Sequence, residues 1–146
     1  MNESTHVYVK LQQDADGYPP FEAEEIAATS LDNGRYRIVG IPVFVDGLAC
    51  GDVVEVVHVQ GDPRLWATQV LDSGGHWTVR VLPWKPEALH SVAHRFIHLG
   101  CNANATQFGL VAVDVPPNVP ARRIMSALEH GKVAGEWDFD LGISPD

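Results

Sequence analysis

The order of apolar and polar residues changes character about halfway along the chain. In the first half the two kinds alternate, as in "HVYVKLQ", where Val7, Val9 and Leu11 share one face. A repeat of two is that of a half-buried β-strand. Strands are also predicted in "RYRIVGIPVFV", "LWATQVL", "HWTVRVL" and the β-branched run "DVVEVVHVQ". For "FEAEEIAATSL" the alternation favours a strand, with a helix as the alternative.

Turn residues between these strands predict how they pair. Asn33-Gly34 tolerates the positive φ angles of a tight turn, so it predicts a hairpin between the second and third strands. The segment "DSGG" predicts another hairpin between "LWATQVL" and "HWTVRVL". The N-terminal half is therefore expected to form a curled antiparallel sheet or a small barrel.

The second half contains two stretches with helical spacing. "PEALHSVAHRFIHLG" has Pro86 where a helix begins and Gly100 just past its end, and "VPARRIMSALEHG" has Pro120 and Gly131 in the same roles. Between them, the apolar run "FGLVAVDVP" is typical of a strand buried on both faces. "GEWDFDLG" alternates again and predicts a final strand.

Taken together, these elements predict an α+β fold. We expect the curled N-terminal sheet or barrel to continue into a β-α-β-α-β C-terminal part with two helices on one face. A right-handed crossover would make "FGLVAVDV" parallel to "HWTVRVL". No break in composition divides residues 1–146, and this length is ordinary for one domain, so we predict a single domain.

Three histidines in the first helix are the most conspicuous candidates for metal ligands. His90, His94 and His98 follow one another at four-residue intervals. At 100° per residue they lie on the outer side of the helix, and His90 and His98 are about 12 Å apart along its axis. One pair at most could chelate an ion, and no further ligand at suitable spacing completes a set. We predict a solvated polar face and no metal or other cofactor. The alternatives are adventitious metal binding by one pair and a metal protein that uses His90 and His94.

The chain carries a net charge of −9, concentrated in its first half. Residues 1–62 contain eleven acidic and three basic side chains. Binding of nucleic acid needs a cationic surface, so we expect none. An acidic surface suits a basic protein partner, although it also keeps a protein soluble without any partner.

The sequence contains no recognised catalytic motif. Its glycine-rich loops lack the spacing of phosphate-binding loops, and no G-x-S-x-G is present. Cys50 lies in "GLACGDVVEV", before a strand and not at a helix N-terminus that would activate it, so a structural role is expected. We therefore lean against an enzyme.

Two functional hypotheses follow. The first is a non-enzymatic acidic binding module for a macromolecular partner, for instance an immunity or antitoxin-like protein, with contact residues Glu22, Glu24 and Glu25. The alternative is a small-molecule-binding or enzymatic domain, with a pocket between the sheet and the first helix. That pocket would be lined by Tyr36, Trp66, Trp77 and Trp84.

The cellular location is expected to be the cytoplasm. The N-terminus "MNESTHVYVKLQQ" is polar and then alternating, unlike a signal peptide. No apolar run approaches the roughly 20 residues that span a membrane, so no membrane association is expected. The two cysteines are then expected to be reduced thiols.

Several short stretches together resemble a known bacterial family. They are Tyr36-Arg37 leading to Ile41-Pro42-Val43-Phe44, then Gly51-Asp52-Val53-Val54, Ser73-Gly74, Val113-Asp114-Val115-Pro116 and Gly135-Glu136-Trp137. In this order they resemble the domain-of-unknown-function family DUF4265 over most of the chain. The resemblance implies a small stand-alone bacterial protein, and it implies neither an activity nor functional residues.

Overall fold

The computed structural model describes residues 4–145, which contain nine strands and two α-helices. A short 3-10 turn, Pro86–Ala88, leads into the first helix. The α+β class predicted from the sequence is confirmed. The strands are β1 (Ser4–Lys10), β2 (Ala23–Ser30), β3 (Arg35–Ile38), β4 (Val53–His58), β5 (Leu65–Asp72), β6 (Trp77–Pro83), β7 (Asn102–Ala105), β8 (Val111–Val115) and β9 (Trp137–Ile143), and the helices are α1 (Leu89–His98) and α2 (Ala121–Val133).

Strands β1 to β5 form a closed barrel, as the N-terminal alternation allows. Neighbouring strands are antiparallel, and the barrel closes where β1 pairs in parallel with β5 at Tyr8 and Trp66. The hairpin predicted at Asn33-Gly34 is confirmed, with φ angles of 63° and 73°. The alternating apolar residues fill the interior, which includes Val7, Ile26, Ile38, Leu48 and Val54.

The remaining strands form a second, antiparallel sheet in the order β7-β8-β6-β9. Both helices cover one face of it, as predicted, and a second core lies between them. Phe96 of α1 and Ile124 of α2 meet the inner side chains of β6 and β8 there. Helix α2 passes through Gly131, which the sequence placed beyond the helix end. No helix within residues 4–145 is long and apolar enough to cross a membrane.

Two pairing predictions were wrong. Strand β8 is antiparallel to β6, because the short strand β7 turns the chain back before β8 begins. The segment "DSGG" does not join a hairpin, since β5 belongs to the barrel and β6 to the second sheet. The chain changes sheets there because Gly74 lies against the backbone of Gly51, and its N–H donates to the Asp52 carboxylate at 2.9 Å.

The segment between β3 and β4 is held between the barrel and the second sheet. The Glu24 carboxylate accepts hydrogen bonds from the backbone N–H groups of Val43, Phe44 and Val45 at 2.7–3.0 Å. The Arg80 guanidinium of β6 donates to the carbonyl of Phe44 at 3.2 Å. The same guanidinium also binds the carboxylates of Asp46 and Asp140. These contacts connect residues 43–46 to both the barrel and the second sheet.

Candidate functional site

Four aromatic rings meet at the surface where the barrel adjoins the second sheet. We call Tyr18, Phe21, Phe44 and Phe108 the aromatic patch. The Phe108 ring centroid lies 5.1 Å from that of Phe44 and 5.3 Å from that of Phe21. Phe44 also contacts Phe21 at 5.7 Å and Tyr18 at 6.1 Å. These separations are those of interacting rings, so the four side chains form one continuous surface.

Three rings of the patch are open to solvent. Tyr18 is 55% exposed, Phe108 43% and Phe21 38%. Isolated exposed apolar side chains are common on protein surfaces, but a contiguous group of aromatic rings marks a candidate contact site.

Local hydrogen bonds hold the parts of the patch in place. The Tyr18 N–H donates to the Asp14 carboxylate at 3.0 Å, and Phe44 lies in the segment fixed by Glu24 and Arg80. Phe108 sits on the turn between β7 and β8, which the Thr106 hydroxyl braces by donating to the Leu110 carbonyl at 2.7 Å. The rings are therefore presented by braced loops.

Acidic side chains flank the patch and form what we call its acidic rim. Asp14 and Asp16 precede Tyr18, and Glu22 follows Phe21; all three are exposed. Between residues 11 and 34 the chain has six acidic side chains and no Lys, Arg or His. This segment therefore carries an excess of negative charge, which favours contact with cations, while Glu22 also lines a cleft with Lys10 and Arg64.

The three glutamates predicted as contact residues do not share one surface. Glu24 turns inward and its carboxylate is occupied by three backbone N–H groups. Glu25, the next residue of the strand, points the other way and lies 3.7 Å from the ring of His6. Glu22 is exposed and follows Phe21 of the patch directly in the chain. Glu22 alone of the three thus belongs to the rim.

The four aromatic residues predicted to line a pocket are also separated. Tyr36 and Trp66 are half-buried in the barrel, Trp77 is buried in the core under the helices, and Trp84 is 62% exposed. Between the second sheet and α1, buried side chains such as Phe96 pack directly against the strands. The structure therefore places no shared pocket among these four residues.

A second candidate site combines a thiol, an imidazole and a carboxylate, and we call it the Cys50 cluster. Its members are Cys50, His76 and Asp114, whose ligand atoms all lie within 4.8 Å of one another. His76 Nδ1 and Asp114 Oδ1 are 2.8 Å apart. Asp114 is fully buried, whereas Cys50 and His76 are half-buried. The cluster is thus reachable from solvent on one side.

Distant parts of the sequence assemble this cluster. Asp114 lies in β8 on the face away from the helices, and His76 immediately precedes the neighbouring strand β6. Cys50 comes from the barrel loop before β4. The buried Asp52 carboxylate accepts hydrogen bonds from Ala49 at 3.0 Å and from Gly74 at 2.9 Å. It thereby ties the Cys50 loop to the segment leading to His76.

Both cysteines are free thiols with weakened acidity. Burial, together with the negative charges of Asp114 and Asp52, raises the pKa of Cys50 from 9.0 to about 11. Burial and the Asp114 carboxylate likewise raise the pKa of Cys101 to about 11. At neutral pH both groups are therefore protonated, because a thiolate here would lie in a partly buried and negative environment.

No sequence pattern pointed to His76 or Asp114, and the surroundings of Cys50 in the sequence predicted only a structural role for it. One signal was available: Asp114 is the sole charged residue in the apolar run "FGLVAVDV", and a buried carboxylate needs a polar partner. Nothing in the spacing of the sequence linked it to His76. The conspicuous His90, His94 and His98 are all exposed on α1, as the helical geometry predicted.

The fold has a counterpart among solved structures. It is similar to one described as "Novel crystal structure of a hypothetical protein from Neisseria gonorrhoeae", with a TM-score of 0.72, 16% identity and coverage of 93% of both chains. At this identity the likeness concerns the fold alone. No curated protein matches the chain. The sequence profile of the domain of unknown function DUF4265 matches residues 24–139, most of the chain, and the protein therefore belongs to the DUF4265 family.

Proposed function

We propose that the protein is a non-enzymatic binding module for a macromolecular partner, and that the aromatic patch makes the central contact. The observation that carries the proposal is the contact among four rings of which three are exposed. Aromatic side chains supply much of the binding energy at the centres of protein interfaces. A braced cluster of them also loses little conformational entropy on binding.

The charge around the patch indicates the chemical class of the partner. Asp14, Asp16 and Glu22 make its rim acidic, and the whole chain has a net charge of −9. A partner with a basic surface and an apolar anchor would match both features, and its association would be accelerated by electrostatic attraction. An inhibitor of a basic toxin is one concrete version. Nucleic acid is disfavoured because it carries the same sign of charge.

We place this function in the cytoplasm on the strength of the two free cysteines. Cys50 and Cys101 are both unpaired, and thiols persist most readily in a reducing compartment. A cytoplasmic partner is therefore the first to seek.

Capture from cells that naturally carry the gene tests the proposal. Untagged wild-type protein would be immobilised beside the double variant Phe21→Ser/Phe108→Ser. The single variant Val133→Ser is the matched control, since Val133 is an apolar residue that is 89% exposed on α2, outside the patch. We expect the wild type and the control to retain the same basic protein, and the double variant to lose it.

The purified partner would then be mixed with the wild type at increasing salt concentration. The association rate should fall as the salt concentration rises, because salt screens the electrostatic attraction between the acidic rim and a basic partner. Equal retention on all three proteins, or an association rate independent of salt, would count against the patch as the contact. Near-ultraviolet circular dichroism would verify that the variants are folded.

A small-molecule site is a second candidate, favoured by a cleft of about 510 Å³ on the barrel. Trp66 lines it together with Lys10, Glu22 and Arg64, so one of the residues predicted for ligand binding is at a cavity. The Arg64 guanidinium lies 4.7 Å from the Trp66 ring centroid and is held by Asp62. Quenching of fluorescence by a ligand in the wild type but not in Trp66→Phe would support this site.

A further inference from the structure

The Cys50 cluster brings together three kinds of metal ligand that are far apart in the sequence. We propose that Cys50, His76 and Asp114 bind one divalent transition-metal ion, with Zn²⁺ as the representative ion, and leave one coordination position open. The proposal is independent of the aromatic patch. It rests on the mutual distances of at most 4.8 Å between the three ligand atoms.

The chemistry of the three ligands selects the class of ion. Zinc sites in proteins combine thiolate sulfur, imidazole nitrogen and carboxylate oxygen, usually with four ligands in a tetrahedron. Ca²⁺ and Mg²⁺ prefer oxygen ligands throughout, so a thiol and an imidazole suit them poorly. Three protein ligands with a free fourth position are typical of zinc sites that bind water or a small molecule.

The burial of Asp114 gives a physical reason for a cation at this place. Its carboxylate is fully buried, and within residues 4–145 its side-chain partners are His76 and Asn102. A carboxylate removed from water is costly unless positive charge or several hydrogen bonds compensate it. Neither Asp114 nor Cys50 has a lysine or arginine among its side-chain contacts within residues 4–145. A divalent ion bound by both would neutralise the negative charge of the carboxylate and of the thiolate.

The surrounding residues already orient the ligands. Asn102 Nδ2 donates to Asp114 Oδ2 at 3.1 Å, which leaves Oδ1 for His76 or for an ion. Asp52 fixes the loop that carries Cys50. Such outer hydrogen bonds hold the ligands of metal sites in position and typically change affinity by about 10–100-fold when lost.

Little rearrangement is needed to reach bonding geometry. Ligand atoms around tetrahedral zinc are about 3.5 Å apart, as bond lengths of 2.0–2.3 Å imply. His76 Nδ1 and Asp114 Oδ1 are 2.8 Å apart, so they would separate by about 0.5 Å to bind one ion, and the imidazole would then carry its proton on Nε2. Rotation of the half-buried Cys50 side chain would bring in the sulfur. The proton of the Cys50 thiol would pass to solvent.

The open coordination position has space beside it. His76 borders a cleft of about 320 Å³ whose other walls include Pro116, Pro117 and Pro120. This cleft could admit a water molecule or a small ligand to the ion. The ligands themselves lie at the junction of the barrel and the second sheet, so the ion would also join the two.

Cobalt(II) is a suitable probe, because a cobalt–thiolate bond gives a near-ultraviolet charge-transfer band that zinc does not mask. Untagged, metal-free protein would be titrated with Co²⁺ and then with Zn²⁺. We expect saturation at a single ion per chain, a thiolate band, and loss of that band when zinc displaces cobalt. Cys50→Ser should abolish the band, and His76→Gln should weaken cobalt binding at least about tenfold.

Two control variants distinguish metal binding at the Cys50 cluster from metal binding by other thiols or histidines. Cys101→Ser removes the other thiol, and His90→Gln/His94→Gln removes the exposed histidine pair on α1. Both should keep the thiolate band. No band in the wild type, a band lost in Cys101→Ser, or binding abolished only by the α1 variant would overturn the proposal.

A measurement on the wild type alone guards against variants that fail to fold. Saturating Zn²⁺ should raise the melting temperature, because a ligand that binds only the folded state stabilises it. It should also protect Cys50 from alkylation at pH 9.5, as followed by mass spectrometry of peptides. Unchanged melting and unprotected Cys50 in the presence of Zn²⁺ would contradict the site.

Discussion

Gly51 and Gly74 touch through their backbones, and this contact joins the barrel to the second sheet. A Cβ at position 74 would lie 2.7 Å from the carbonyl carbon and oxygen of Gly51, closer than real Cβ atoms approach. Glycine is therefore required at position 74 for steric reasons, and the positions of Cys50 and His76 depend on it.

Replacing Gly74 by alanine should separate the two loops. We expect Gly74→Ala to lower the free energy of unfolding by about 1–3 kcal/mol, the usual cost of forcing an extra methyl group into a filled site. Urea denaturation measures this as a lower midpoint. The same variant should bind Co²⁺ more weakly than the wild type. A midpoint equal to that of the wild type would mean that the loops adjust freely.

Glu24 and Glu25 form a natural comparison, because they are adjacent but face opposite ways. Glu24→Gln replaces one of the oxygens that accept three backbone hydrogen bonds by an NH₂ group, and we expect a loss of about 2–3 kcal/mol. Glu25→Gln changes an exposed side chain and should alter stability by less than about 0.5 kcal/mol. Equal midpoints in urea for the two variants would refute the internal role of Glu24.

Replacing Gly131 by alanine should change stability in the direction opposite to that expected from helix propensity. In an exposed helix, glycine to alanine stabilises by about 1 kcal/mol. Here a Cβ would lie 2.1 Å from the Trp137 ring, so Gly131→Ala should destabilise by about 2 kcal/mol or more. The double variant Gly131→Ala/Trp137→Leu should be less destabilised than the sum of its two single changes. If the losses of stability of the two single variants add up exactly in thermal denaturation, a steric overlap between a Cβ at position 131 and the Trp137 ring is contradicted.

The thiols should react slowly at ordinary pH. Their pKa values, raised from 9.0 to about 11 by burial and by Asp114, leave about a hundredfold less thiolate at pH 8 than in the unfolded chain. Iodoacetamide alkylation of metal-free protein should therefore accelerate up to about pH 11. Cys101, which is 4% exposed, should react more slowly than Cys50. A titration of Cys50 centred at 9 or below would contradict these values.

The raised pKa values of the two thiols also make the stability of the protein depend on pH. Because folding raises the pKa of both thiols, the stability associated with their neutral forms is fully present below pH 9 and is lost as pH rises through about 11. The unfolding midpoint in urea should therefore decline over this interval. Cys50→Ser/Cys101→Ser should flatten that decline, and an equal decline in this variant would assign it to other groups.

The sequence predicted most of the elements but not how the two sheets meet. Alternation, the Asn33-Gly34 turn and the helical spacing each depend on near neighbours in the chain, and they led to the right elements. Strand β7 escaped because "NANA" is only four residues long and consists of asparagine and alanine, which are both depleted in strands. The residues of "DSGG" are typical of a hairpin turn, but Gly74 instead packs against Gly51, which lies 23 residues away in the chain.

The candidate sites were likewise predictable only where they depend on residues close together in the sequence. The excess of acidic residues before Asp62 was visible in the sequence, whereas the meeting of Phe21, Phe44 and Phe108 depends on how the barrel docks on the second sheet. The Cys50 cluster likewise draws on three separate elements. The histidine spacing in α1, by contrast, is a pattern within one helix, so the sequence alone shows it.

The strand order also places polar strands at both borders of the second sheet. The border strands of the second sheet are β7 and β9, and the Gly47 N–H already donates to the Gly142 carbonyl of β9 at 2.9 Å. The first is only four residues long and half asparagine, and the second carries Asp138 and Asp140. Short, polar and charged borders discourage another strand from adding to a sheet. The apolar strands β6 and β8 are thereby shielded in the middle, where they cannot seed edge-to-edge aggregation.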